Sequence, residues 1–364
     1  MKALPVIDHG RYDRALRMAS AAREEGPRPD VPAAPGRLTD RYGRAITYLR
    51  LSVTDRCNLR CTYCTPVSSG IFMPREDLLS DDEIVEILQT MARAGLEKVR
   101  FTGGEPLVRP GFLDLVERVA AIEGLSELCV STNGLLLEDQ ADRLIGLGVT
   151  RFNVSVDTLD GARFREVTRG GDLAAVWRGV ERVLATAAAR PELRIRVKLN
   201  AVLMKGVNDG EVEAFADLTR RHALHVRFIE LMPLAHCGEL HDASYVSSEI
   251  VLAALERMGG AQPVERTRTD GPALMYRLDG ARGTVGVISP VSETHFCDRC
   301  NRVRLGADGQ LKLCLFGDER VDLRALLRGP REPGDLERAL AAGMELKPEK
   351  MAGFSGFTMM SIGG

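Results

Sequence analysis

No apolar run in this chain approaches the roughly 18 to 20 residues of a membrane span, and its first residues hold no apolar core of a secretory leader, so a cytoplasmic protein is expected. Net charge is nearly absent as well. Lys and Arg number 49 against 51 Asp and Glu, leaving −2, too weak a field to recruit nucleic acid or an anionic membrane surface. Any anion site must therefore be local. Aromatics make up 5% of the residues, and none interleaves with the basic stretch 297–314, which argues against base stacking there. No segment repeats at a solenoid period. Cysteines are few, 8 in 364 residues, and cluster in threes, which favours metal binding in a reducing compartment over a disulfide framework.

What is present is more specific. Cys57-Asn-Leu-Arg-Cys61-Thr-Tyr-Cys64 is a C-x3-C-x2-C run that presents three thiolates and no fourth. A 4Fe-4S cluster usually takes four Cys ligands, so three leave one iron open to bind a small molecule. The alternatives are a zinc site completed by a distant ligand, or three core thiols; zinc spacings pair two ligands with two more, which this trio does not match. Cys297, Cys300 and Cys314 form a second trio, C-x2-C-x13-C. It reads either as a zinc knuckle completed by His295 or a carboxylate, or as a second 4Fe-4S cluster with an open iron. Arg302 and Arg304 follow on one face of an extended segment, as a phosphate-bearing or purine partner would require.

Length and a 45% apolar content allow two cores. Residues 1–38 form a Pro-, Gly- and Ala-rich extension, expected to be poorly ordered. From Tyr48 onward, strand patterns at 48–53, 98–102, 127–131, 152–156, 195–202 and 225–230 alternate with helical patterns at 81–93, 111–122, 138–147, 173–188 and 211–222. Six such units predict an open, partial (βα)6 barrel of the TIM type over 39–245, with a smaller α+β domain over 246–364. The strands alternate. Leu49, Leu51, Val53, Val99, Phe101, Leu128, Val130, Val154, Val156, Val197 and Leu199 take one face. Arg50, Ser52, Thr54, Lys98, Arg100, Thr102, Ser131, Asn133, Asn153, Ser155, Asp157, Arg196, Lys198 and Asn200 take the other. Helices must cover the apolar face, so the polar face lines the lumen, and its cations call for an anionic guest. Half-exposed antiparallel strands would alternate too, but helices intervene here. Cys129 and Cys237 read as packing residues.

C-x3-C-x-Tyr-C directly after a strand resembles the signature of the radical S-adenosylmethionine (SAM) superfamily, in which the open iron chelates SAM and an adenosyl radical abstracts a substrate hydrogen. Gly103-Gly104-Glu105-Pro106 after strand 98–102 resembles that superfamily's Gly-Gly-Glu-Pro motif. The resemblance places SAM against Tyr63, Gly104, Ser155 and Met232. The wider set comprises Leu49 to Cys57, Phe101 to Leu107, Ser131 to Gly134, Arg227 to Glu230, the second trio and the terminal Gly363-Gly364, and it resembles the GTP 3′,8-cyclase (MoaA) family from about Leu38 onward.

That family likeness implies a lyase-class enzyme of molybdenum cofactor biosynthesis with two 4Fe-4S clusters, on Cys57, Cys61 and Cys64 and on Cys297, Cys300 and Cys314. It implies abstraction of the ribose 3′ hydrogen of GTP and bonding of C3′ to guanine C8, giving (8S)-3′,8-cyclo-7,8-dihydroguanosine 5′-triphosphate. Its substrate contacts fall on Arg50, Lys98, Arg100, Ser131, Lys198, Arg227, Arg302, Val303 and Arg304, with Arg302, Gly363 and Gly364 in catalytic roles. It further implies a flavodoxin- or ferredoxin-type electron donor, product transfer to cyclic pyranopterin monophosphate synthase, and a homodimer, with no nucleic acid and no membrane as partner. Residues 317–353 do not match securely. Two rivals remain at this stage: a peptide-modifying radical SAM maturase with an auxiliary cluster, and a noncatalytic zinc-containing module that binds nucleic acid.

Overall fold

The computed structural model describes residues 37–64, 72–233, 238–265, 271–292, 297–298 and 300–350. Most of the 1–38 extension, and Cys237, His295, Gly363 and Gly364, lie outside them.

Six strands, β1 (Tyr48–Ser52), β2 (Lys98–Thr102), β3 (Glu127–Thr132), β4 (Val149–Ser155), β5 (Arg196–Leu203) and β6 (His225–Glu230), pair in sequence order, all parallel. The rest of the chain supplies β7 (Ala261–Val264), β8 (Leu274–Leu278), β9 (Thr284–Ile288), β10 (Arg302–Leu305), β11 (Gln310–Lys312) and β12 (Arg320–Asp322). These extend the same sheet at both edges. β9 lies parallel beside β6 with β8 and β7 antiparallel outside it, and β10 lies parallel beside β1 with β11 and β12 antiparallel outside it. Among the described residues the sheet is thus a 12-stranded open one with eight parallel strands at its centre, and residues 289–301 link β9 on one side of the six-strand unit to β10 on the other.

The helices follow from local signals. Ser80 caps Asp81–Arg93: its Oγ accepts from Glu83 N at 3.2 Å, and Glu83 returns a carboxylate to Ser80 N at 2.7 Å, a reciprocal capping box. Ile84, Ile87, Leu88 and Met91 recur on its buried face. The predicted apolar strand set, from Leu49 to Leu199, is buried with such helix faces in one continuous core. Phe101 meets Phe112 edge to face at 5.5 Å. Each large side chain buried in this way contributes about 1.5–3 kcal/mol. Among the described residues no helix is long and apolar enough to cross a membrane.

Three differences from the expected elements have physical causes. β4 begins at Val149 because Arg151, which reads as loop, pairs with Glu127 of β3 at 3.2 Å. Gly161–Thr168 is helical, capped by Asp160 on Arg163 N at 2.8 Å, although its periodicity is weak. β10 to β12 are only three or four residues long, too short for periodicity to register.

Glu230, fully buried at the end of β6, accepts from Ser248 N (3.1 Å), Val291 N (3.2 Å), Ser292 N (3.1 Å) and Ser292 Oγ (2.7 Å). It pins the start of the crossing segment to the barrel. Glu230→Ala strands these donors and should lower stability by about 2–5 kcal/mol in urea melts, with Glu230→Gln milder. A change below about 0.5 kcal/mol would remove the pin from this account.

Candidate active site

The polar strand faces surround a cavity of about 310 Å³. Register places its walls in layers. In the middle, Arg50 of β1 stands beside Arg100 of β2 on one side and Arg304 of β10 on the other, and all three line the cavity. Adjacent strands are only about 4.8 Å apart. Three guanidinium groups at one level repel one another. Burial, together with Arg100 and Arg302, brings Arg50 down to about 10; burial, then Arg50 and Arg302, brings Arg304 well below its ordinary range. Arg100 moves the other way: burial opposes its charge, but Tyr48, which accepts from its Nε, together with Cys129 and Glu127 outweighs this. Asn153 Oδ1, buried in the same wall, has no hydrogen-bond partner among the described residues. A polyanionic guest with donor groups would answer both features.

The two cysteine trios mark opposite ends. Cys57, Cys61 and Cys64 follow the C-terminal end of β1, where Gly104, Ser155 and Met232 also reach the cavity. Cys297 and Cys300 precede the N-terminal end of β10, and Cys314 follows antiparallel β11 at that same end. Five residues of strand, about 17 Å, separate the two ends.

The first trio's loop is held by backbone bonds from Arg60 N to Thr168 O (3.2 Å) and from Thr62 N to Val167 O (2.9 Å). Tyr63 Oη donates to Asp157 Oδ2 at 2.8 Å, while Asp157 Oδ1 accepts from Val202 N at 2.9 Å. Gly103 and Gly104 are required by this loop as much as by any ligand. A Cβ on Gly104 would stand 2.2 Å from Arg56 O, and one on Gly103, at φ +156°, 2.5 Å from Thr54 O. Gly104 N and Glu105 N donate to Thr54 O and Arg56 O, both at 2.8 Å. Buried Glu105 then accepts from Thr132 Oγ1 (2.7 Å) and Asn133 N (2.6 Å), joining three loops.

The thiols fit a cationic metal centre. Burial raises Cys57, and burial followed by the charge of Asp157 raises Cys61 well above the ordinary thiol range. Positive iron would supply the missing compensation. At the other end burial is outweighed by Arg302 and Lys347, which bring the Cys300 thiol down to about 6. Among the described residues no three His, Cys, Asp or Glu side chains are placed to hold a single metal ion, and His295 lies outside them.

Of the expected site residues, the cavity gathers both trios, Tyr63, Gly104, Ser155, Met232, Arg50, Lys98, Arg100, Ser131, Lys198, Arg227, Arg302 and Arg304. Val303 departs: its side chain is buried in the apolar core, since β10 alternates and only 302 and 304 face inward. Only its backbone could meet a guest. Lys98 lines the floor but is ion-paired with Glu127, and Arg196 does not line the cavity. Cys129 is buried, as expected, with Sγ 3.5 Å from Glu127 Oε1. Asn153 and Asn200 line the cavity from the predicted polar face, whereas Tyr48 and Lys347 were not singled out. Tyr48 is in phase with Arg50 and Ser52 along β1 and could have been found by the same alternation. Lys347 carries no such signal.

A partial parallel barrel with a three-cysteine loop after its first strand defines a radical SAM protein, and residues 51–219 match the Radical SAM superfamily. Residues 224–353 match Molybdenum Cofactor Synthesis C, covering the whole of the 317–353 stretch that sequence motifs left unmatched. A GTP 3′,8-cyclase of Pelotomaculum thermopropionicum is 43% identical over 332 residues, covering 90% of this chain and 100% of its own. One from Geobacter sulfurreducens is 44% identical over 336 residues, 90% and 99% respectively. The chain belongs to the GTP 3′,8-cyclase family. A crystal structure of Streptococcus suis SuiB shares the fold, with a TM-score of 0.51 at 12% identity over 95% of this chain and 74% of that one.

The row of guanidinium groups predicts a trade-off. Arg304→Met should leave the ligand-free protein as stable or more stable, by about 1 kcal/mol, because it removes one of three guanidinium charges crowded at one level of the wall. Nucleotide triphosphate affinity should fall at least about tenfold. Thermal melts with and without GTP read both, and a destabilised apoprotein with unchanged binding would contradict the reading.

Proposed function

We propose that the cavity binds GTP between the two trios and that the chain closes it to 3′,8-cyclo-7,8-dihydroguanosine 5′-triphosphate. The observation that carries this is the Arg50, Arg100 and Arg304 row, aligned by strand register between two three-thiol sets in one cavity. Cys57, Cys61 and Cys64 would hold a 4Fe-4S cluster with one iron left open for SAM, and that pair would supply an adenosyl radical when bound. Gly104, Ser155, Met232 and the Tyr63 backbone would contact SAM at that end. Cys297, Cys300 and Cys314 would hold the second cluster, at the end of the cavity assigned to the guanine.

This chain's residues position and exclude. The arginine row, with Lys198 and Arg227, grips the triphosphate, and Ser131 and Asn153 lie in the same wall. Arg227 Nε donates to Asn200 Oδ1 at 3.0 Å, which fixes the guanidinium before a guest arrives. Arg100, Asn153, Lys198 and Arg227 are themselves buried, so a bound substrate at this wall would be largely screened from water. The ribose C3′–H bond breaks and its hydrogen leaves in 5′-deoxyadenosine, the new bond joins C3′ to guanine C8, and one electron and one proton complete the dihydro product. The electron donor is of the flavodoxin or ferredoxin type, the protein works as a cytoplasmic homodimer, and the product passes to cyclic pyranopterin monophosphate synthase. The tail glycines Gly363 and Gly364 contribute from the C-terminus.

Anaerobic incubation of reconstituted protein with SAM, dithionite and GTP, followed by mass spectrometry, should give GTP-dependent 5′-deoxyadenosine and a species isomeric with GTP. Iron should approach about eight per chain, and fall by about half when Cys297, Cys300 and Cys314 are all replaced by Ala. That variant should still form deoxyadenosine but no cyclised nucleotide. Deoxyadenosine with no nucleotide product in the unaltered protein would overturn GTP as substrate and turn attention to a peptide.

A further inference from the structure

Lys347 is 1% exposed, an unusual place for an ammonium group. Its Nζ donates to Arg302 O at 2.9 Å and to Leu313 O, and among the described residues no carboxylate forms an ion pair with it. The two carbonyls belong to the segments that carry Cys300 and Cys314. Arg302 follows Cys300 by two residues, and its carbonyl also faces Cys300 Sγ at 4.0 Å; Leu313 immediately precedes Cys314. The third segment is tied to the same stretch. Arg44 Nη1 donates to Cys297 O at 3.1 Å and to Glu349 O at 2.8 Å, and its Nη2 to Pro348 O at 2.6 Å, while Asp40 Oδ2 holds its Nε at 2.6 Å.

All three cysteine-bearing segments therefore converge on residues 347–349. Carbonyl dipoles alone leave a buried positive charge only partly compensated. Cys300 Sγ lies 4.0 Å from one of those same carbonyls, and three thiolates holding a 4Fe-4S cluster would bring net negative charge to that end of the cavity. We propose that Lys347 is the positioning residue of the second cysteine trio, holding the Cys300 and Cys314 segments together and setting the electrostatic field, and so the reduction potential, of the cluster they bind. The inference rests on reading the second trio as a cluster site.

Full-length protein with both sites reconstituted separates the two readings. In the unaltered protein, the electron paramagnetic resonance signal that SAM does not perturb reports the second cluster, and its absence alongside half-loaded iron would overturn the cluster reading and this inference with it. Where that signal is present, Lys347→Met should shift the second cluster's midpoint potential downward and alter its line shape, leaving the SAM-sensitive signal as it was. Lys347→Arg should restore the potential toward that of the unaltered protein. A merely structural lysine would not show this rescue by charge. If the Met variant does not fold, Lys347→Gln against Lys347→Arg gives the same contrast. A potential and line shape unchanged in the neutral variant, at full iron loading, would overturn the role assigned to Lys347.

Discussion

Like charge at one level of a parallel sheet is the constraint around which this molecule is arranged. Arg50, Arg100 and Arg304 are in register on three neighbouring strands and face the same interior. The fold cannot separate them without shifting register, and a one-residue shift would turn them out among the helices. Relief comes from chemistry. Tyr48 accepts from Arg100 and lies over the Arg100 and Lys98 charges, at 5.7 and 5.0 Å from its ring centroid, and Glu127 takes the Lys98 ammonium. Burial and the neighbouring guanidinium groups still hold Arg50 and Arg304 below the ordinary range, so the ligand-free wall is one that a polyanionic guest would stabilise.

The same register makes the cavity polar along its length rather than merely basic. Parallel strands order side chains by height, so the first trio, Gly104 and Met232 collect where the strands end, and the second trio collects where they begin. A substrate that spans the lumen meets different chemistry at its two ends without any residue being moved. The C-terminal third of the chain completes this by adding strands to both flanks, β9 beside β6 and β10 beside β1. It thereby contributes Arg302 and Arg304 to the wall built by the first half of the chain, and brings its cysteines to the end of the cavity opposite the first trio.

Much of this was legible in the sequence because parallel strands with one polar face are uncommon, and alternation names the lining residues directly. Arg50, Arg100, Ser131 and Lys198 were identified by their phase along a strand before any contact was known. Val303 shows the limit of carrying a motif across as a block: the same alternation that turns Arg302 and Arg304 inward sends Val303 into the core. Lys347 shows the other limit. A single lysine just beyond a helix has no period and no motif, and its place beside the second trio exists only through contacts over 34 and 45 residues of sequence. Tyr48 was read as a strand residue of no special side, yet it lines the floor of the cavity.

Buried carboxylates do for the loops what the strands do for the walls. Glu105 gathers the glycine turn and the 132–133 turn, Asp157 gathers Tyr63 and Val202, and Glu230 gathers Ser248, Val291 and Ser292. Each sits at or just beyond the C-terminal end of a parallel strand, and each accepts bonds from residues far away in sequence. A carboxylate suits this position because it is acceptor-only and can take several donors at once, so one side chain fixes several otherwise independent loops. Burial works against the charge: Glu105 is pushed up to about 7 and Asp157 to about 6, burial being the leading cause in both, against the hydrogen bonds that favour ionisation. Radical chemistry gains from such rigidity, because an adenosyl radical left in a loose site reacts with whatever is nearest. The loops around the first trio are thus held by acceptors whose cost is offset by the donors they satisfy.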